Sequence, residues 1–189
     1  MTLTTSLRVL GLSLLLAGSA AAQVASGPGT SPTAPPPRTQ SDYYVPLYGV
    51  TAGIAIPLGR LSDDHAAGYA VGGVVEYAVN GQPYSLRGEA MLQRFALKSN
   101  RTTGDDVNMF SLGTSIVYRL QGSPAQTFVT GGIAVYHATG EGTRPGFNGG
   151  AGVEIPLTGF SAVAEARMHV MLADGKPLLT LPLTVGVRF

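Results

Sequence analysis

Leu179-Thr180-Leu181-Pro182-Leu183-Thr184-Val185-Gly186-Val187-Arg188-Phe189 is the stretch that decides the fold. Leu179, Leu181, Leu183, Val185, Val187 and Phe189 share one face, while Thr180, Pro182, Thr184, Gly186 and Arg188 share the other. A period of two belongs to a β-strand with one apolar and one polar face. The stretch before it repeats the pattern. Phe160, Ala162, Ala164, Ala166, Met168 and Val170 face one way, with Ser161, Glu165, Arg167 and His169 opposite. A helix would not scatter Glu165, Arg167 and His169 at spacing two.

Reading backward predicts eight such strands, at 47–57, 69–79, 84–97, 107–120, 127–138, 147–157, 160–172 and 178–189. Each is close to, or a little longer than, the roughly 9–11 residues with which a tilted strand crosses a bilayer. The connections alternate. Asn80-Gly81-Gln82-Pro83, Gln121 to Gln126 and Thr158-Gly159 are short and turn-like. Those at 58–68, 98–106, 139–146 and 173–177 are mostly longer and carry Asp63, Asp64, Lys98, Arg101, Asp105 and Asp106. Short turns at one rim and polar loops at the other are the pattern of an outer-membrane barrel.

Composition agrees. Charged residues make up 12% of the 189, about half the usual share, and the 26 glycines are about twice theirs. Mean hydropathy is +0.21, yet beyond the N-terminus no run of about 20 apolar residues could form a spanning helix. The absence of Cys excludes disulfides, thiol nucleophiles, thiolate zinc sites and a lipidated cysteine. A formal charge of +1 and the lack of a basic patch argue against nucleic acid as a partner. Gly149-Gly150-Ala151-Gly152 lies inside a strand with no helix after it, so it is no phosphate loop. Glycine there gives room for strand bending or for large neighbours in the lumen.

Residues 1–22 read as a secretory signal peptide, with Arg8 in the basic region, Val9 to Ala17 as apolar core and Ala20-Ala21-Ala22 at the cleavage site. Loss of Arg8 leaves eleven bases against eleven acids. Residues 23–42 hold Pro28, Pro32, Pro35, Pro36 and Pro37 among Gly, Ser and Thr. They are expected to form a disordered periplasmic linker ahead of a barrel at 43–189.

The aromatic residues give an independent reading. Of 8 Tyr and 6 Phe, Tyr43 and Tyr44 precede the first strand. Threaded up and down, Tyr48, Tyr77, Tyr84, Tyr118, Phe128, Phe160 and Phe189 fall at the short-turn rim. Tyr69, Phe95, Phe110, Tyr136 and Phe147 fall toward the loop rim. Two girdles around an aliphatic band mark the two membrane interfaces, where amphipathic rings sit at headgroup level. A soluble sandwich would place its aromatics mid-strand, as core.

On strand count, loop alternation and the last strand, the chain resembles the small eight-stranded outer-membrane β-barrels, the OmpA membrane domain and OmpX among them. The resemblance covers about residues 43–189 and implies an all-β, antiparallel, up-and-down transmembrane barrel, monomeric and located in the bacterial outer membrane. It also implies that Leu181, Leu183, Val185, Val187 and Phe189 form the C-terminal signal read by the barrel-assembly machinery, with periplasmic chaperones as partners during insertion. Pro182 departs from the pattern, since it lacks one ladder N–H, and a local bulge is expected there. No wall-binding domain is expected after the barrel, so that role of OmpA is not expected to carry over.

The polar phase of the strands carries Glu76, Arg87, Glu89, Arg119, Glu154, Glu165, Arg167 and Arg188, four acids and four bases. An eight-stranded barrel is just wide enough for side chains to fill it, and a charge enclosed there must be paired. The first expectation is a closed, salt-bridged interior with a structural or loop-binding role and no cofactor. A gated ion path along the same residues, adhesion through the loops in the manner of OmpX, and a lipid A-modifying enzyme are the alternatives. A soluble secreted ligand-binding barrel competes on location. The enzyme reading needs a His beside Ser and a carboxylate at the outer rim. His65 lies by Asp63 and Asp64, His137 precedes Glu141, and His169 lacks the H-x-S arrangement, so no catalytic residue is assigned. Asp63, Asp64 and His65 alternate in direction and make a poor metal site. Arg94, on the lipid-facing phase, and Lys98 are expected to meet acidic groups of lipopolysaccharide.

Overall fold

The alternation of apolar and polar residues closes into a tube with apolar groups outside. The computed structural model describes residues 46–79, 82–100, 104–120 and 125–189. The leader at 1–22, the linker at 23–42 and residues Tyr43, Tyr44, Asn80, Gly81 and Arg101 lie outside them. Strands β1 (Leu47–Leu58), β2 (Gly68–Ala78), β3 (Tyr84–Phe95) and β4 (Val107–Arg119) are followed by β5 (Gln126–Ala138), β6 (Gly142–Pro156), β7 (Ser161–Met171) and β8 (Leu178–Arg188). Each pairs antiparallel with its neighbours in sequence, and β8 returns to β1 in a closed barrel. Tyr48 and Phe189 exchange both backbone hydrogen bonds at 2.9 Å and so finish the seam.

The register fixes the shape. Following partners around the wall from Tyr48 leads through Val75, Gly88, Thr114, Ile133, Phe147, Val170 and Leu179 back to β1 at Leu58, ten residues further along. Eight strands with that stagger tilt by about 40° and enclose a tube of about 8 Å backbone radius. At that tilt a strand of 11 residues rises about 27 Å, the height of a bilayer's apolar layer.

Inside, the lumen is stratified. Under the loops, Phe95, Met109, Tyr136, Met171 and Leu178 pack with Leu61, which descends from a short helix, α1 (Arg60–Asp64). At the short-turn end Val117, Phe128 and Val163 form a second apolar group. Polar and charged side chains occupy the space between. Outside, Val50, Ile54, Leu112, Ile116, Ile133 and Val185 are among the large apolar residues left exposed.

Four expectations need correction. Phe95, Phe128 and Tyr136 fall on the inward phase and are fully buried, so the girdles are formed by the other nine aromatics. The bulge at Pro182 does not form. Leu183 pairs with Ile54 and Ala166, and Thr180 with Pro57 and His169, an unbroken register on both sides; the ladder to β7 merely skips Arg167 and Met168. A missing N–H removes a hydrogen bond without requiring an extra residue. The connection expected at 139–146 is a tight turn, because Gly140 and Gly142 take φ of 82° and 71° and let Thr143, Arg144 and Pro145 continue the ladder opposite β5. The loop at 58–68 contains α1, which periodicity could not show in five residues. Gly152 does serve a lumen neighbour: a Cβ there would overlap the Phe128 ring.

Candidate functional site: the charged lumen

Strand alternation delivers Glu76 from β2, Arg87 and Glu89 from β3, Arg119 from β4, Glu154 from β6, Glu165 and Arg167 from β7, and Arg188 from β8 into one layer of the lumen. Glu76 and Arg87 are direct cross-strand partners, so their meeting follows from the β2–β3 hairpin alone. Arg87 donates to Glu76 Oε2 from Nε and Nη2, each at 3.2 Å, and to Glu165 Oε2 from Nη1 at 3.0 Å. Arg167 links Glu165 to Glu89. At the short-turn end Glu76, Arg119, Glu154 and Arg188 alternate in a ring. Arg119 bridges Glu76 at 2.5 Å and Glu154 at 3.3 Å, and Arg188 bridges the same two at 3.3 and 3.0 Å. All eight charges thus belong to one connected network.

Two neutral side chains complete it. Ser85 donates to Glu76 Oε1 at 2.5 Å and accepts from Arg119 Nη1 at 2.9 Å. The Phe128 ring receives the Arg87 and Arg188 guanidinium groups at 5.3 and 5.2 Å, two cation–π contacts among buried side chains. Ser85 has no role in the sequence reading and Phe128 reads there only as a rim aromatic, although the phase of their strands turns both inward. The network leaves little room. A void of about 10 Å³ beside Glu89, Glu165 and Arg167 has space for about one water molecule. Above it, Tyr136 and His169 meet at 3.2 Å between the hydroxyl and Nδ1, and Gln93, Asn148 and Thr180 are buried nearby on the inward phase.

The three histidines stand in separate settings: His169 in the lumen, His137 outward against Thr143 Oγ1 at 2.8 Å, and His65 with Nε2 3.2 Å from the Asp105 carbonyl. Among the described residues no group of three or more His, Asp or Glu side chains is arranged to hold a metal ion. Arg94 lies outward at the loop rim and donates to Asp106 Oδ2 at 3.0 Å; Lys98 turns the other way and donates to the Ser62 carbonyl at 2.6 Å. The loops are themselves cross-tied, by Arg60 to Glu141 at 2.8 Å and by Arg144 to Asp174.

No protein-family model matches the chain, and no curated protein matches it by sequence. Solved structures match it by fold. Neisserial surface protein A is similar at 18% identity with a TM-score of 0.63, over 76% of this chain and 95% of that one. The Yersinia pestis outer membrane protein Ail, in a phospholipid bilayer nanodisc, is similar at 16% identity with a TM-score of 0.52, over 76% and 99%. The outer membrane enzyme PagL matches more loosely, at 13% identity with a TM-score of 0.48, over 77% and 99%. The chain has the fold of the small eight-stranded outer-membrane β-barrels.

Breaking the network from one side should be costly, because a buried partner is left uncompensated. Glu76→Gln is expected to lower unfolding free energy by about 3–5 kcal/mol, and Glu76→Gln combined with Arg87→Met by less. Urea titration of vesicle-inserted protein measures both; a single variant costing under about 1 kcal/mol contradicts the coupling. At the loop rim, the Leu97 amide at 3.0 Å and the Arg94 guanidinium hold the Asp106 carboxyl below its ordinary value of about 3.9. A lowered carboxylate contributes stability above its unfolded pKa and loses it as pH falls through the folded value. The clasp should therefore persist at neutral pH and loosen below about pH 4, read from the Leu97 amide resonance. Asp106→Asn should abolish that pH step.

Proposed function

We propose that the chain is an integral barrel of a bacterial outer membrane, monomeric, with a closed interior and no chemistry of its own. In this reading it serves the envelope structurally and presents its loops for binding. The observation that carries the reading is the outer face. Between the two girdles every outward-facing position among the described residues is uncharged, and most are Val, Leu, Ile, Ala or Gly. Such a surface is stable in lipid, where each backbone group finds its partner within the closed sheet. The paired lumen supports a plug, since all eight charges already neutralise one another. Export would remove the leader at 1–22, and the barrel-assembly machinery would read Leu181, Leu183, Val185, Val187 and Phe189, all on the outward phase of β8.

Reconstitution tests both halves of this reading. The refolded chain should need detergent or lipid to stay monodisperse, and in planar bilayers it should give no steady conductance. Monodispersity in plain buffer would sink the membrane assignment, and a steady channel would sink the plug. For the rim we propose a lipopolysaccharide contact at Arg94, supported by its outward, half-exposed guanidinium; Lys98, held by the Ser62 carbonyl, is not part of it. Arg94→Ala should weaken lipopolysaccharide binding by roughly three- to tenfold, equivalent to about 0.7–1.4 kcal/mol. Unchanged binding removes the contact.

A further inference from the structure

Between its charges and its apolar cap the lumen has a third layer. With strands tilted by about 40°, each residue along a strand rises about 2.5 Å on the barrel axis, and each step to a paired neighbour rises about 3 Å. On that scale the eight charges lie between about 3 Å below Tyr48 and about 11 Å above it. Phe95, Met109, Met171 and Leu178 lie at about 21–24 Å. Asn148, His169, Gln93 and Thr180 occupy the interval at about 13–19 Å. All four are buried, none more than 5% exposed. Three of them form one row, because Asn148 pairs with His169 and His169 with Thr180. Gln93 stands on β3, four strands from β7 in either direction, and so faces His169 across the lumen.

Four polar atoms of this layer have no hydrogen-bond partner among the described residues: Gln93 Oε1 and Nε2, His169 Nε2 and Thr180 Oγ1. The His169 ring is held from its other edge, where Nδ1 meets the Tyr136 hydroxyl. A buried group left so forfeits the hydrogen bond that water gives it in the unfolded chain. Four together would cost about as much as the whole net stability of an ordinary domain. The side chains cannot answer one another across the lumen. Opposite backbones stand about 16 Å apart, and a Gln and a His facing each other span about 9–10 Å of that. The remaining gap of about 6 Å is the length of two hydrogen bonds placed end to end. Met91 and Pro182, the inward residues next below Gln93 and Thr180, line the void of about 10 Å³ beside Glu89, Glu165 and Arg167. That void therefore touches the layer from beneath. We infer that the neutral layer is a binding site for internal water, one or two molecules that join Gln93 to His169 and Thr180. Water suits the site because the unpartnered atoms include both donors and acceptors. The four acids and four bases below already cancel, so nothing in the layer calls for an ion.

The site belongs to the closed barrel itself, so it stands whether or not the membrane reading does. The full chain, isotope-labelled and refolded into phosphatidylcholine nanodiscs, is studied by nuclear magnetic resonance. Magnetisation selected at the water frequency should pass to the side-chain amide protons of Gln93. The methyl groups of Val117 and Val163, in the lower apolar group, should receive none. Transfer to all three alike, or to none of them, overturns the water site. Thr180→Val keeps the shape of the side chain and removes its hydroxyl, which gives a second reading. Where that hydroxyl is bonded to water, its loss should lower the urea midpoint by about 0.5 M, one hydrogen bond set against an ordinary urea dependence. In a dry layer the same change removes an unpaired group, and a midpoint that holds or rises overturns the inference.

Discussion

A peptide group in hydrocarbon has no water to bond, so a strand placed there must give both its edges to other strands. Here that requirement is met where Tyr48 and Phe189 exchange hydrogen bonds at the β1–β8 seam, joining the two ends of the sheet. Once the seam is closed in this register, the stagger of ten residues follows, and with it the tilt, radius and height of the barrel. The lipid-facing belt and the narrow lumen are two consequences of that one closure.

A tube of about 8 Å backbone radius leaves its lumen no wider than the side chains lining it. Phe128 illustrates the fit: its ring lies where Gly152 on the neighbouring strand has no Cβ, and it carries the Arg87 and Arg188 guanidinium groups on its face. Leu61 does similar service above, where α1 folds over the mouth and joins Phe95 and Met171. The result is a lumen filled in layers, with apolar packing under the loops and paired charges below.

Strands were legible because lipid outside and polar groups inside impose a strict period of two, and most ends were placed within two residues. The start of β6 was hidden because Thr143-Arg144-Pro145-Gly146 has the composition of a loop, while two glycines at positive φ let it pair as strand. Inward aromatics were mistaken for girdle because rim position says nothing of facing; the outward Val129, Ile133 and Val135 already required Phe128 and Tyr136 to turn inward. Membership of the charged layer was readable from phase. Its wiring was readable only in part: Glu76 and Arg87 meet through a hairpin, but Arg87 and Glu165 are 78 residues apart and meet through the stagger of the closed barrel.

Charges are an expensive way to fill a lumen, since well-packed apolar residues are often as stable as a buried ion-pair network. Their value here lies in what they forbid. A barrel apolar on both faces could slip any strand by one residue and turn it inside out at little cost, because the side-chain period is two. With the present sequence, a one-residue slip of β3 would carry Arg87 and Glu89 into lipid and turn Leu86 and Leu92 into the lumen. An arginine facing the middle of the bilayer costs about 2–4 kcal/mol by itself. Desertion of Glu76 and Glu165 in the lumen would add the penalty of leaving them unpaired. Because six of the eight strands carry at least one of these charges, the same argument guards the phase of most of the wall. The ion pairs then matter less as a source of stability than as the reason this sequence has one inside and one outside.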